Sequence, residues 1–154
     1  MKGPKIILSL IAVVSALSIV VAHSGTPPTN STGAPGASTC RSCHSSFALN
    51  AGTAGFFVTA PPTVRGGQTI PVTVRFNGGT GTRWGFSLTA RDAANANLGT
   101  WTITDTAATQ ILSGNTEVGH LTASAQKTWT VNWTAPATLA TRLRAGSIRE
   151  SFCD

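Results

Sequence analysis

From Ala54 onward, apolar and polar residues alternate with a period of two, the repeat of a strand buried on one face. Phe56, Val58 and Ala60 share one face of a first run. Ile70, Val72, Val74 and Phe76 alternate with Pro71, Thr73 and Arg75. Trp84, Phe86, Leu88 and Ala90 alternate with Gly85, Ser87 and Thr89. Trp101 and Ile103 follow, and then Trp129, Val131 and Trp133 alternate with Thr130 and Asn132. Weaker runs lie near Thr109–Leu112 and Glu117–Thr122. Turn-forming clusters separate the runs: Pro61-Pro62, Gly66-Gly67, Gly78-Gly79-Thr80-Gly81 and the polar stretch from Asp92 to Asn97. The spacing predicts an all-β domain over residues 54–136, a two-sheet antiparallel sandwich of about seven strands with apolar residues inside and polar ones outside. Pro71 points to an edge strand, because it cannot donate a ladder hydrogen bond. Three of the four tryptophans sit in phase with aliphatic neighbours, which reads as core packing rather than a sugar-stacking platform. The threonine rows read as ordinary strand surface, with an adhesive face as the other option.

The region upstream has a different grammar. Lys2 and Lys5 precede an uncharged stretch from Ile6 to Ala22 that ends Val20-Val21-Ala22. A basic start, an apolar middle and a small-residue exit make residues 1–22 a signal peptide, so the product is expected to be exported, to the periplasm, cell surface or medium. No second long apolar run exists, so no membrane span is expected after cleavage. Residues 23–53 begin HSGTPPTNSTGAPGAST, and Pro27, Pro28 and Pro35 among glycines and serines predict an extended, solvated leader.

That leader delivers Cys40-Arg41-Ser42-Cys43-His44. C-x-x-C-H is the attachment signature of c-type haem. Two thiols at this spacing can reach the two vinyl groups of one porphyrin edge, and the adjacent imidazole then lies beneath the iron. A C-x-x-C pair also fits a disulfide or a redox dithiol, although the dithiol expects a strand-to-helix context. A zinc site wants four Cys or His ligands, and no second cluster exists. The expected cofactor is one covalent haem c held through Cys40 and Cys43.

Counting narrows the axial ligands. The single methionine is Met1, which leaves with the signal peptide, so His/Met ligation is excluded. The chain has three histidines, His23, His44 and His120. His44 is the proximal ligand by motif. His120 is the main distal candidate and otherwise a surface strand histidine; His23 and an open site are the further options.

Composition removes other classes. The net charge is +6, but the basic residues are scattered singly, so no nucleic-acid partner is expected. Asp92, Asp105, Glu117, Glu150 and Asp154 are the only acids, and they form no spaced carboxylate pair. Without a nucleophile elbow or phosphate loop either, the chain does not read as an enzyme.

Thr32-Gly33-Ala34-Pro35-Gly36, Thr39-Cys40-Arg41-Ser42-Cys43-His44, Arg83-Trp84-Gly85-Phe86-Ser87-Leu88-Thr89-Ala90, Gly99-Thr100-Trp101 and Trp129-Thr130-Val131-Asn132-Trp133-Thr134-Ala135-Pro136 occur in that order. In this order the chain resembles the secreted bacterial Reelin-like domains labelled choice-of-anchor V. The resemblance implies an immunoglobulin-like β-sandwich behind an N-terminal haem-type motif. It also implies a histidine ahead of the Trp-rich strand, here His120, as distal ligand. Residues 137–154 depart from the family, with arginines, an odd Cys153 and no alternation. They read either as a frameshifted or truncated end, which leaves the sandwich without its last strand, or as a genuine short tail. A missing strand would expose a sheet edge and predicts aggregation.

Two functions follow. The first is a secreted monohaem cytochrome-like domain, with His44 and His120 as axial ligands and outer-sphere electron transfer to a redox partner. The second is an extracellular binding or adhesion module for a cell-surface ligand, with a Cys40–Cys43 disulfide and no haem.

Overall fold

The computed structural model describes residues 25–46, 48–49 and 51–138, and the backbone of Ile148–Cys153. The expected signal peptide and His23 lie outside the described residues. Eight strands are described: β1 (Gly55–Thr59), β2 (Thr69–Asn77), β3 (Gly85–Ala90), β4 (Thr100–Ile103), β5 (Thr109–Leu112), β6 (Glu117–His120), β7 (Thr128–Thr134) and β8 (Ile148–Cys153). They form two antiparallel four-stranded sheets, ordered β1-β2-β7-β4 and β5-β6-β3-β8.

The core lies between the sheets and follows the alternation. Ile70, Val72, Val74 and Phe76 on β2 are buried, as are Trp129, Val131 and Trp133 on β7. Phe86 and Leu88 on β3 and Val118 on β6 close it from the other sheet. Fully burying a side chain of this size contributes about 1.5–3 kcal/mol, so the facing rows dominate the stabilisation. All four tryptophans are buried, which removes the sugar-platform reading. Trp133 also donates its indole N–H to the Leu98 carbonyl at 2.9 Å. Outside, paired threonines bond across strands, Thr69 to Thr134 at 2.8 Å and Thr73 to Thr130 at 3.1 Å.

Pro71 is not on an edge strand. β2 sits between β1 and β7, but β1 ends opposite Thr73, so at Pro71 the strand is paired only with β7. A proline is tolerated at such a local edge. The tail also supplies a strand. β8 pairs with β3 from Gly85↔Cys153 to Ala90↔Ile148 and covers the edge that a missing strand would have left open. This pairing is made by backbone groups, which a side-chain pattern does not display.

Every residue of β3 and of β6 is buried, on the outward side as well as on the core side. The cover is the leader, which is not a solvated coil. Ser38 N–H donates to the Asn30 carbonyl and Gly33 N–H to the Ser38 carbonyl, folding residues 30–38 into a closed loop. Asn30, Gly33 and Gly36 take positive φ values, 58°, 68° and 80°, which is what the Asn and Gly residues of the loop permit. Thr32 and Ala34, within the loop, are buried.

Candidate functional site

Three contacts fix the leader on the outer face of the second sheet. The Asn30 N–H donates to the Glu117 carboxylate at 2.9 Å, and the Thr26 hydroxyl donates to the Leu121 carbonyl at 3.2 Å. Gly119 is a third: a Cβ there would lie 2.7 Å from Pro27 Cγ, so only glycine lets the leader approach β6 this closely. Glu117 is 2% exposed, and a carboxylate is rarely buried so far without a partner.

After the loop, the chain makes one 3-10 turn at Cys40–Ser42, with the Cys43 and His44 N–H groups both donating to the Cys40 carbonyl at 3.1 and 2.9 Å. This turn carries the C-x-x-C-H motif to the rim of a cavity of about 470 Å³ between the leader and the sheet. Cys40, Cys43 and His44 line one side, and Gly85, Ser87 and His120 line the other. The structure therefore brings together all four residues that the sequence marked. Cys43 and His44 are exposed, whereas His120 is 6% exposed. His120 is thus not a surface strand histidine.

His120 closes β6, and its ring lies against the backbone of β3. Its Nδ1 is 2.9 Å from the Phe86 N–H and 3.0 Å from the Phe86 carbonyl, so it accepts in one tautomer and donates in the other. Burial holds its pKa below the ordinary 6.5, and backbone hydrogen bonds with Phe86 and Gly25 oppose that shift. Neutral imidazole is the form that ligates a metal. With Nδ1 accepting from the Phe86 N–H, Nε2 carries the proton; with Nδ1 donating to the Phe86 carbonyl, Nε2 carries the lone pair that a ligating histidine needs. The ring needs Gly85 beside it: a Cβ at that position would sit 2.4–2.6 Å from three atoms of the imidazole.

The fit to a haem divides. Two histidines on the walls of one cavity, one of them buried and neutral, suit axial ligation of a flat macrocycle. Among the described residues, no group of three or more His, Cys, Asp or Glu side chains is placed to hold a bare metal ion. The thiol pair fits less well. Cys40 is disulfide-bonded, and Cys43 is free and exposed. The expected Cys40–Cys43 disulfide is therefore not formed. Two thioethers would need both sulfurs unbonded, so double attachment requires that the Cys40 disulfide be open.

Sequence reasoning missed Gly85, Glu117 and Gly119. Each acts on a partner distant in sequence, and only the unusual small residue beside Trp84 and the single acid ahead of Val118 offered a signal.

A family profile described as "Reeler domain" matches residues 39–146. Two crystal structures are similar in fold. The Reelin-N domain of F-spondin is 22% identical, with a TM-score of 0.53, covering 74% of this chain and 83% of that one. The human F-spondin reeler domain (fragment 1) is 22% identical, with a TM-score of 0.49, covering 64% and 74%. No curated protein matches.

Proposed function

The chain belongs to the Reeler domain family, and on that premise we propose that it is an exported β-sandwich binding module whose ligand occupies the cavity between the leader and β3 and β6. One observation carries this reading. The leader motif and His120 are far apart in sequence, yet they line the same cavity of about 470 Å³, a volume suited to a small organic ligand. Export is supported by the signal-peptide pattern of residues 1–22 and by the disulfide at Cys40, a bond that persists in oxidising compartments. The reading is of a binder, not a catalyst. Its test is a titration with the fluorescent apolar probe anilinonaphthalene sulfonate against Ala123→Trp, which fills the cavity from its wall. Loss of probe binding with the fold intact is expected; equal binding by both proteins would refute the site.

A second reading gives the ligand an identity, one haem that His44 and His120 would hold. The observation in its favour is the convergence of Cys40, Cys43, His44 and His120 on one cavity. Held by both histidines, a haem would supply outer-sphere electron transfer. The chain's own residues would hold it. Phe86 orients His120, burial lowers the pKa of that ring, and the turn at Cys40–Ser42 presents His44. Export in a host with haem-attachment machinery, followed by absorption spectroscopy and intact mass, tests this. A low-spin spectrum that becomes high-spin in His120→Ala is expected. A colourless protein removes the haem and leaves the binding module.

A further inference from the structure

We propose that the cavity takes a neutral, flat molecule of about two aromatic rings bearing one hydroxyl, and that Ser87 recognises that hydroxyl. The proposal rests on the binding-module reading of the cavity and deepens it; it draws nothing from the haem reading.

Ser87 lies in the middle of β3 and is 2% exposed. Its hydroxyl has no hydrogen-bond partner among the described residues. A buried hydroxyl left unpaired is destabilising, so a native structure keeps one where another group answers it. Ser87 lines the cavity between the leader and the sheet, and the answering group comes from that side. A lone water is a poor answer, because it needs about two to four polar partners. Across the ladder Ser87 faces Gly119, which has no side chain. Pro27 packs over Gly119 and has no N–H to offer. These surroundings suit a polar atom carried on an apolar body.

The other polar groups of the wall are engaged or wet. His120 bonds to the backbone of Phe86 and Gly25. Thr29, Ser38 and Ser42 are exposed, where water satisfies them. Among the described residues no carboxylate lines the cavity, and its arginine, Arg83, is exposed. A charge placed against Ser87 would therefore be buried without a counter-ion, which excludes an ammonium or a carboxylate there. Pro27, Pro28 and Ala123 supply apolar wall for the rest of the molecule. A dry apolar cavity of about 150 Å³ takes one benzene, so about 470 Å³ leaves room for two fused rings and a substituent. One hydroxyl on such a body matches a pocket in which few polar groups fix the orientation.

The test titrates the full chain with naphthalene, 2-naphthol and 2-naphthoate, followed by ligand fluorescence and calorimetry. 2-Naphthol is expected to bind about tenfold more tightly than naphthalene, the order of one buried hydrogen bond. Ser87→Ala is expected to bring 2-naphthol down to the affinity of naphthalene and to leave naphthalene unchanged. The variant removes a hydroxyl that makes no bond among the described residues, so it should melt no lower than the parent. Equal affinities for the two neutral compounds in the parent protein, or a 2-naphthol preference that survives Ser87→Ala, would overturn the proposal and leave the cavity as a binding site. Tighter binding of 2-naphthoate would overturn it in favour of recognition by Arg83. Binding of none of the three would overturn it as well, and the anilinonaphthalene sulfonate titration against Ala123→Trp then decides separately whether the binding-module reading stands.

Discussion

Replacing Gly85 with alanine isolates the contact that aims His120. The new Cβ would fall 2.4–2.6 Å from Cε1, Nδ1 and Nε2 of the ring, far inside van der Waals distance. The ring is buried and bonded to Phe86, so it cannot swing aside without losing that bond. Overpacking of this kind costs about 1–3 kcal/mol. The broken hydrogen bond adds about 1 kcal/mol. Against these, removing a glycine from the unfolded chain stabilises by about 0.4–1 kcal/mol. The clash wins, with a net loss of about 2 kcal/mol. Urea unfolding at constant m reads this as a lower midpoint. The decisive measurement is the double-mutant cycle with His120→Ala. Without the ring, the added methyl meets no imidazole, and only the entropic gain remains. Gly85→Ala is then expected to be neutral or stabilising by about 0.5 kcal/mol, giving a coupling of about 2–2.5 kcal/mol. An equal cost of Gly85→Ala with and without the His120 ring would refute the positioning role.

Two further expectations follow from the same face of the sheet. His120 has a lowered pKa when folded, so the unfolded chain binds more protons as pH drops below 6.5; stability is full above that value and falls below it toward the folded pKa. Unfolding free energies measured across this range should lose part of their slope in His120→Gln. Glu117→Ala removes the acceptor of the Asn30 N–H and should cost about 1–3 kcal/mol while speeding proteolysis within residues 25–39, with unchanged cleavage rates counting against the docked leader.

The sandwich was legible because its strands are buried on one face. β2 and β7 display their alternation openly, and the structure pairs them along seven residues. β3 was only half legible. Ser87 and Thr89 are polar and in phase with solvent, yet they are buried: Ser87 lines the cavity beneath the leader, and the Thr89 hydroxyl donates to the Thr116 carbonyl at 2.9 Å. The prolines and glycines of the leader read as looseness, but Gly33 and Gly36 supply the positive φ of a closed loop. The four residues that the structure gathers on one cavity could be named from the C-x-x-C-H motif, a count of histidines and a family likeness. Their supports could not. Gly85 matters only through the ring beside it, Gly119 through Pro27 and Glu117 through Asn30. β8 was hidden for a simpler reason: its segment has no two-residue repeat to announce it.

The leader's docking also sets a clock. The N-terminal segment is synthesised first, but its seat is made late: Asn30 waits for Glu117 and Thr26 for Leu121, separations of 87 and 95 residues. Contacts so distant form only after the intervening loop has been closed, which makes them slow. Throughout that interval the turn at Cys40–Ser42 stands clear of the sheet, and Cys43 stays exposed after it as well. Arrival of β6 ends the interval. The order of synthesis, rather than the finished architecture, therefore decides how long the motif waits before its cavity assembles around it.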